Sequence, residues 1–262
     1  MFKKFLNKNT INSNSSSGVD VYNVILEAAK ISNVIYDWQD DGEVEKISIG
    51  QNCNSSYYLK HTNNKRHSYP FDWIFSSAEI VLHAIKDNFN TFLDKKMMNS
   101  ITDDVGGHLF YHSKMFNHRN PLSSDENYDY YKRCADRFVT VIKTGKPIIF
   151  VCTVVNEPDK RPSWSNGFDR EIPKPENQSI KSFMNLITVI QRINPRSKFL
   201  FVNQLTEGKL KIEYQFFAKD VLWIDFVSKG ENTGVKYLDL LDDTIIKIIY
   251  NGLNEKKIEL ND

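Results

Sequence analysis

Apolar residues Val21, Val24, Ile25, Ala28, Ile31, Val34 and Ile35 recur at gaps of three and four, the period of an amphipathic helix, which predicts a helix over 19–37. A polar turn follows, then a short strand at 46–50 (KISIG) that ends on glycine. Gln51, Asn52 and Cys53 come next, with the small polar run Asn54, Ser55, Ser56 behind them, the pattern of a strand, a tight turn and a helix start. Helical spacing returns at 76–93 (Ile80, Val81, Ala84, Ile85, Phe89, Phe92) and at 128–143, where Thr144–Gly145 makes a stop. It returns again at 178–193, ahead of Pro195, and at 238–253. Apolar runs at 108–112 (HLFYH), 147–153 (PIIFVCT), 198–203 (KFLFVN) and 221–227 (VLWIDFV) predict strands. Helix and strand therefore alternate, which predicts an α/β fold of three layers, a mostly parallel sheet flanked by helices, in a single domain over 18–262. The first 17 residues, rich in Asn and Ser, read as a flexible tail. Pro158, Pro162, Pro173 and Pro175 crowd 156–177, which reads as a long loop.

Composition narrows the function classes. A net charge of +1, from 34 basic and 33 acidic residues, lacks the electrostatic footprint of a nucleic-acid binder, so no nucleic acid is expected as a partner. The cysteines Cys53, Cys134 and Cys152 are odd in number and show no zinc spacing, which fits reduced thiols and a cytoplasmic location rather than a disulfide framework. No apolar run reaches the ~18 residues of a membrane span, and MFKKFLNKNT lacks the apolar region of a signal peptide. No glycine-rich phosphate loop or Asp-x-Asp metal motif occurs, so no cofactor and no metal are expected; the pairs Asp40–Asp41, Asp103–Asp104 and Asp242–Asp243 read as solvated turns or helix starts.

The candidate chemistry centres on Cys53. Ligands of open α/β sheets bind beyond the carboxyl ends of strands, and a thiol at a helix N-terminus feels the positive end of the dipole, which predicts a lowered pKa. A free cysteine is otherwise usually a small buried hydrophobe, the reading that suits Cys134 and Cys152. A thiol nucleophile needs a base. Of the histidines, His112 closes the HLFYH run and, as the end of a parallel strand, would share an edge with Cys53, whereas His108 would stand at the opposite end. Asp72, among Tyr69, Phe71 and Trp73, either orients His112 or caps the helix that begins near Ser76. Gly50, Asn52, Trp73, Asn156 and Glu157 are the expected substrate-binding positions, and backbone N–H groups near Asn52 and Cys53 would hold an oxyanion.

As a set, SIGQNC, YPFDWI, GGHLFYH and the YYKRCADRF helix running into PIIFVC resemble a mainly bacterial family, catalogued as a domain of unknown function and described as papain-like cysteine peptidases. The resemblance is firm over 46–157. It implies a catalytic set of Cys53, His112 and Asp72 and a thiol hydrolase or acyl transferase acting on a small-molecule, peptide or glycan substrate. Where the family has His-Asp after its strand, this chain has His112–Ser113. A cysteine directly after a strand in alternating α/β order also resembles hydrolases of the Gly-Asp-Ser-Leu type, although no histidine follows His118 to supply their late Asp-x-x-His. Two other classes stay open. One is a sugar- or nucleotide-using transferase of surface polysaccharide assembly, beside whose enzymes the resembled family is often found. The other is a non-catalytic binding module built on YPFDW.

Overall fold

A computed structural model describes residues 17–156, 162–168, 171–175, 177–205, 209–230, 232–254 and 257–258. In chain order its elements are helix α1 (Ser17–Trp38), strand β1 (Glu45–Ser48), α2 (Asn54–His61), α3 (Ala78–Lys86), α4 (Asn90–Leu93), β2 (Met98–Ser100), β3 (Gly106–His108), α5 (Asp125–Ile142), β4 (Ile148–Val155), α6 (Pro162–Ser165), α7 (Ile180–Ile193), β5 (Ser197–Leu205), β6 (Lys211–Ala218), β7 (Val221–Val227) and α8 (Leu240–Asn251). The main sheet runs β1-β4-β5-β7-β6. Its first four strands are mutually parallel, and β6 closes the far edge antiparallel to β7.

Alternate side chains of the parallel strands enter two separate cores, as the pleat requires. Phe150, Cys152, Val154, Phe199 and Phe201 meet the apolar stripes of α3, α5 and α7; Ile149, Val151, Leu200, Val202, Leu222 and Ile224 meet those of α1, α2 and α8. This is the three-layer arrangement that the alternation predicted. The tail expected over 1–17 lies outside the described residues except for Ser17, which already belongs to α1.

Three local expectations change. The helix over 76–93 breaks: Asn88 (φ 56°) and Phe89 (φ 62°) take left-handed backbone before α4. Phe89 is thereby turned into an aromatic cluster with Phe71, Phe92 and Phe138, at centroid distances of 5.5–5.7 Å, and this packing offsets the strain. Second, HLFYH is no strand of the parallel sheet. Gly106–His108 pairs antiparallel with Met98–Ser100 inside the insertion between β1 and β4, and His108 N–H donates to His112 O, closing 108–112 into a loop. Third, β6 is an added strand: Ile212, Tyr214 and Phe216 alternate with Lys211, Glu213 and Gln215, and only Ile212 of the strand is buried. As expected, α5 does stop at Gly145, whose φ of +68° is a conformation that glycine takes without strain.

Candidate functional site

The turn between β1 and α2 is tightly built. Gly50 O accepts from Ser76 Oγ at 2.6 Å, and Ser76 N–H donates to Gln51 O at 3.1 Å. A Cβ at Gly50 would stand 2.9 Å from Ser55 Oγ, so the turn needs the bare backbone there. Ser55 Oγ in turn accepts from Thr153 N–H at 2.7 Å, locking the first turn of α2 to β4. Cys53 occupies the N-cap of α2 with helical backbone (φ −72°, ψ −8°) and makes no side-chain cap. It is 2% exposed. Burial, and after it the nearby Asp72 carboxylate, push its thiol from an ordinary 9.0 up to about 12. The lowered pKa expected from the helix terminus is thus overturned: a dipole contributes about 0.3–1 kcal/mol, and withdrawing a thiolate from water costs more. Cys134 and Cys152 are also buried and also raised, first by burial.

Asp72 is buried, and its Oδ2 accepts from Tyr69 N–H at 2.7 Å and pairs with the Lys65 ammonium, itself 9% exposed. Burial raises the Asp72 pKa, while Lys65 and the Tyr69 amide oppose the rise. The expected partner, His112, is engaged elsewhere. Nor does Asp72 cap the following helix: Ser77 does, accepting from Ile80 N–H. The adjacent Trp73 is half-buried.

His112 is fully buried. Its Nδ1 accepts from Lys114 N–H at 3.0 Å, which leaves the proton on Nε2, and Nε2 donates to Trp164 O at 2.7 Å. The ring lies against Phe75 and Phe168 and directly over Gly167, where a Cβ would come within 2.0 Å of it. His108 is bound in the same way, with Nδ1 accepting from Phe110 N–H and Nε2 donating to Thr91 O. His112 does connect to the Cys53 turn, through relayed bonds: Trp164 Nε1 donates to Ser76 O, and Ser76 bonds the Gly50 and Gln51 carbonyls.

The carboxyl edge of the sheet carries a polar chain that sequence reasoning found only in part. Gln51 and Gln178 exchange side-chain amide bonds, and Gln51 Oε1 also accepts from Val155 N–H at 2.7 Å. Asn156 Oδ1 accepts from Gln178 N–H, and its Nδ2 donates to Gln178 O and to Asn203 Oδ1. Asn203 Nδ2 then donates to Asp225 Oδ1, which also accepts from Trp223 Nε1. Asn156, one of the expected substrate-binding positions, staples β4, β5 and the segment before α7 together. Glu157 lies outside the described residues. The signal for the missed members was the polar interruption of KFLFVN and VLWIDFV at Asn203 and Asp225.

A parallel sheet covered on both faces, with a thiol at the first strand–helix turn and a hydrogen-bonded carboxyl edge, defines an α/β protein, the class whose ligands bind beyond the carboxyl ends of the strands. Residues 45–166 match the family described as putative papain-like cysteine peptidase (DUF1796). That segment runs from β1 to α6 and its neighbour, and holds Cys53, Asp72 and His112. Comparison with curated proteins and with solved structures returned no match. Among the described residues no helix is long and apolar enough to cross a membrane, and no group of three or more His, Cys, Asp and Glu could hold a metal ion.

Proposed function

We propose that this protein is a thiol-dependent acyl-transfer enzyme, a hydrolase or acyl transferase, with Cys53 as nucleophile. One observation carries the reading: Cys53 is the N-cap residue of α2, in the turn that follows β1, at the carboxyl edge of a parallel sheet where ligands of such folds bind. The match of 45–166 to a family described as cysteine peptidases supports it. The resting state holds a thiol rather than a thiolate, so attack on a carbonyl requires removal of the proton as the S–C bond forms. His112 is the base we assign. To accept that proton its Nδ1 must release the Lys114 N–H, which ties activation to movement of the ring against Trp164 and Gly167. Asp72 acts in this reading by holding the loop before α3 through Lys65, not by orienting the imidazole. The substrate is a small-molecule, peptide or glycan acyl compound, and the three free cysteines favour the cytoplasm.

A second reading, a non-catalytic binding module, is favoured by the engagement of both His112 nitrogens and the raised Cys53 thiol. Alkylation by iodoacetamide, followed by mass spectrometry from pH 7 to 10, separates the two. A functional Cys53 reacts faster than Cys134 and Cys152 at every pH, and its rate climbs about tenfold per pH unit without a plateau, as a thiol of pKa near 12 requires. Reaction of all three only after unfolding would sink the enzyme reading.

A further inference from the structure

Among the described residues, Asn52 is a fully buried side chain whose amide nitrogen has no hydrogen-bond partner. Its other end is fixed, since Oδ1 accepts from Asn54 N–H at 3.0 Å. That bond decides which end of the carboxamide is nitrogen and lays the group over the first turn of α2. The two ends of a carboxamide are bonded to one carbon, so Nδ2 stays with this turn, on the residue that directly precedes the N-cap Cys53. A buried donor left unpaired costs about 1–3 kcal/mol, and such orphans are rare in native folds unless a ligand or a reaction uses them.

We propose that the Asn52 side-chain amide is the oxyanion donor for acyl transfer at Cys53, an inference that rests on the proposed function. In the step, the Cys53 sulfur bonds the carbonyl carbon of an ester, thioester or amide and its proton passes to the base. The C=O π pair moves onto oxygen, where Asn52 Nδ2–H donates to it. Collapse restores C=O, breaks the bond to the leaving group, and leaves an S-acyl cysteine. In the ground state no oxyanion exists, which is why the donor stands idle.

The test compares two reactions of the same sulfur in the full chain. Acylation by 4-nitrophenyl acetate passes through an oxyanion, with release of 4-nitrophenolate; alkylation by iodoacetamide is a displacement that forms none. Asn52→Ala should slow acylation by about 10²-fold and leave the alkylation rate at Cys53 within about threefold. Asn52→Asp keeps the acceptor for Asn54 N–H and lacks the donor, so it covers the case in which the alanine variant fails to fold, and it should show the same split. Equal losses in both reactions, or acylation at the parental rate in the Asp variant, would overturn the assignment of Asn52 while leaving Cys53 in place. Acylation that persists in Cys53→Ser, or no acylation of Cys53 in the parent chain, would instead overturn the enzyme reading itself.

Discussion

His108 is fully buried, donates from Nε2 to Thr91 O and accepts at Nδ1 from Phe110 N–H. Burial lowers its pKa from 6.5 to about 4. Because the folded value lies below the unfolded one, the neutral ring stabilises the fold above pH 6.5, and that stabilisation is lost as pH falls toward 4. By pH 4.5 the loss should be roughly 2–3 kcal/mol. Urea unfolding at pH 7 and pH 4.5 should show a gap between the two pH values that shrinks by this amount in His108→Gln; an unchanged gap would mean that His108 does not titrate there. Cys53 shows the same physics with opposite sign of charge: withdrawal from water favours its neutral form, and the thiol stays protonated.

At the scale of elements, the Lys65–Asp72 pair ties the segment after α2 to the one before α3, with Asp72 fully buried and the Lys65 side chain largely so. A buried pair resists the loss of one member more than the loss of both. Asp72→Asn should therefore cost about 3–5 kcal/mol in urea unfolding by stranding the ammonium, and adding Lys65→Met should recover most of it. A neutral single variant would show that Lys65 reaches water. The short α6 does comparable work. It delivers Trp164, 1% exposed, whose indole N–H holds Ser76 O while its carbonyl receives the His112 Nε2–H. The imidazole is thus held to the β1–α2 turn by an element far along the chain.

Across the whole molecule, the matched segment 45–166 supplies only β1 and β4 to a sheet of five strands. Residues 45–166 alone would leave the β5-facing edge of β4 unpaired, and would strip Ile149 and Val151 of the α1 and α8 cover that completes their core. This fragment should show no cooperative thermal transition by circular dichroism and should bind a hydrophobic dye, whereas 17–262 should melt in a single step. A cooperative melt of the fragment would mean that the second half of the sheet is dispensable. Helix α1 and the segment after α8 are brought together as well: Asn33 on α1 exchanges two hydrogen bonds with the Ile258 backbone, and a Cβ at Gly252 would fall 2.3 Å from Ser32 O. The helix before the first strand and the last helix thus seal one face jointly.

Periodicity along the chain determined the long helices, apart from the break at Asn88–Phe89, the four parallel strands and the place of Cys53 after the first of them, because repeats of three to four or two residues report directly which side chains must leave water. It also placed the tight turn at Gly50, since small and polar residues there leave few other conformations. What only tertiary structure decided is the choice of partners. Asp72 takes Lys65, His112 takes Trp164, and Gln51 takes Gln178, 127 residues away; hydrophobic periodicity reports which side chains leave water, not which polar groups they meet there. The direction of the Cys53 pKa belongs to the same class, because a helix end is a local feature whereas burial is a property of everything packed around it.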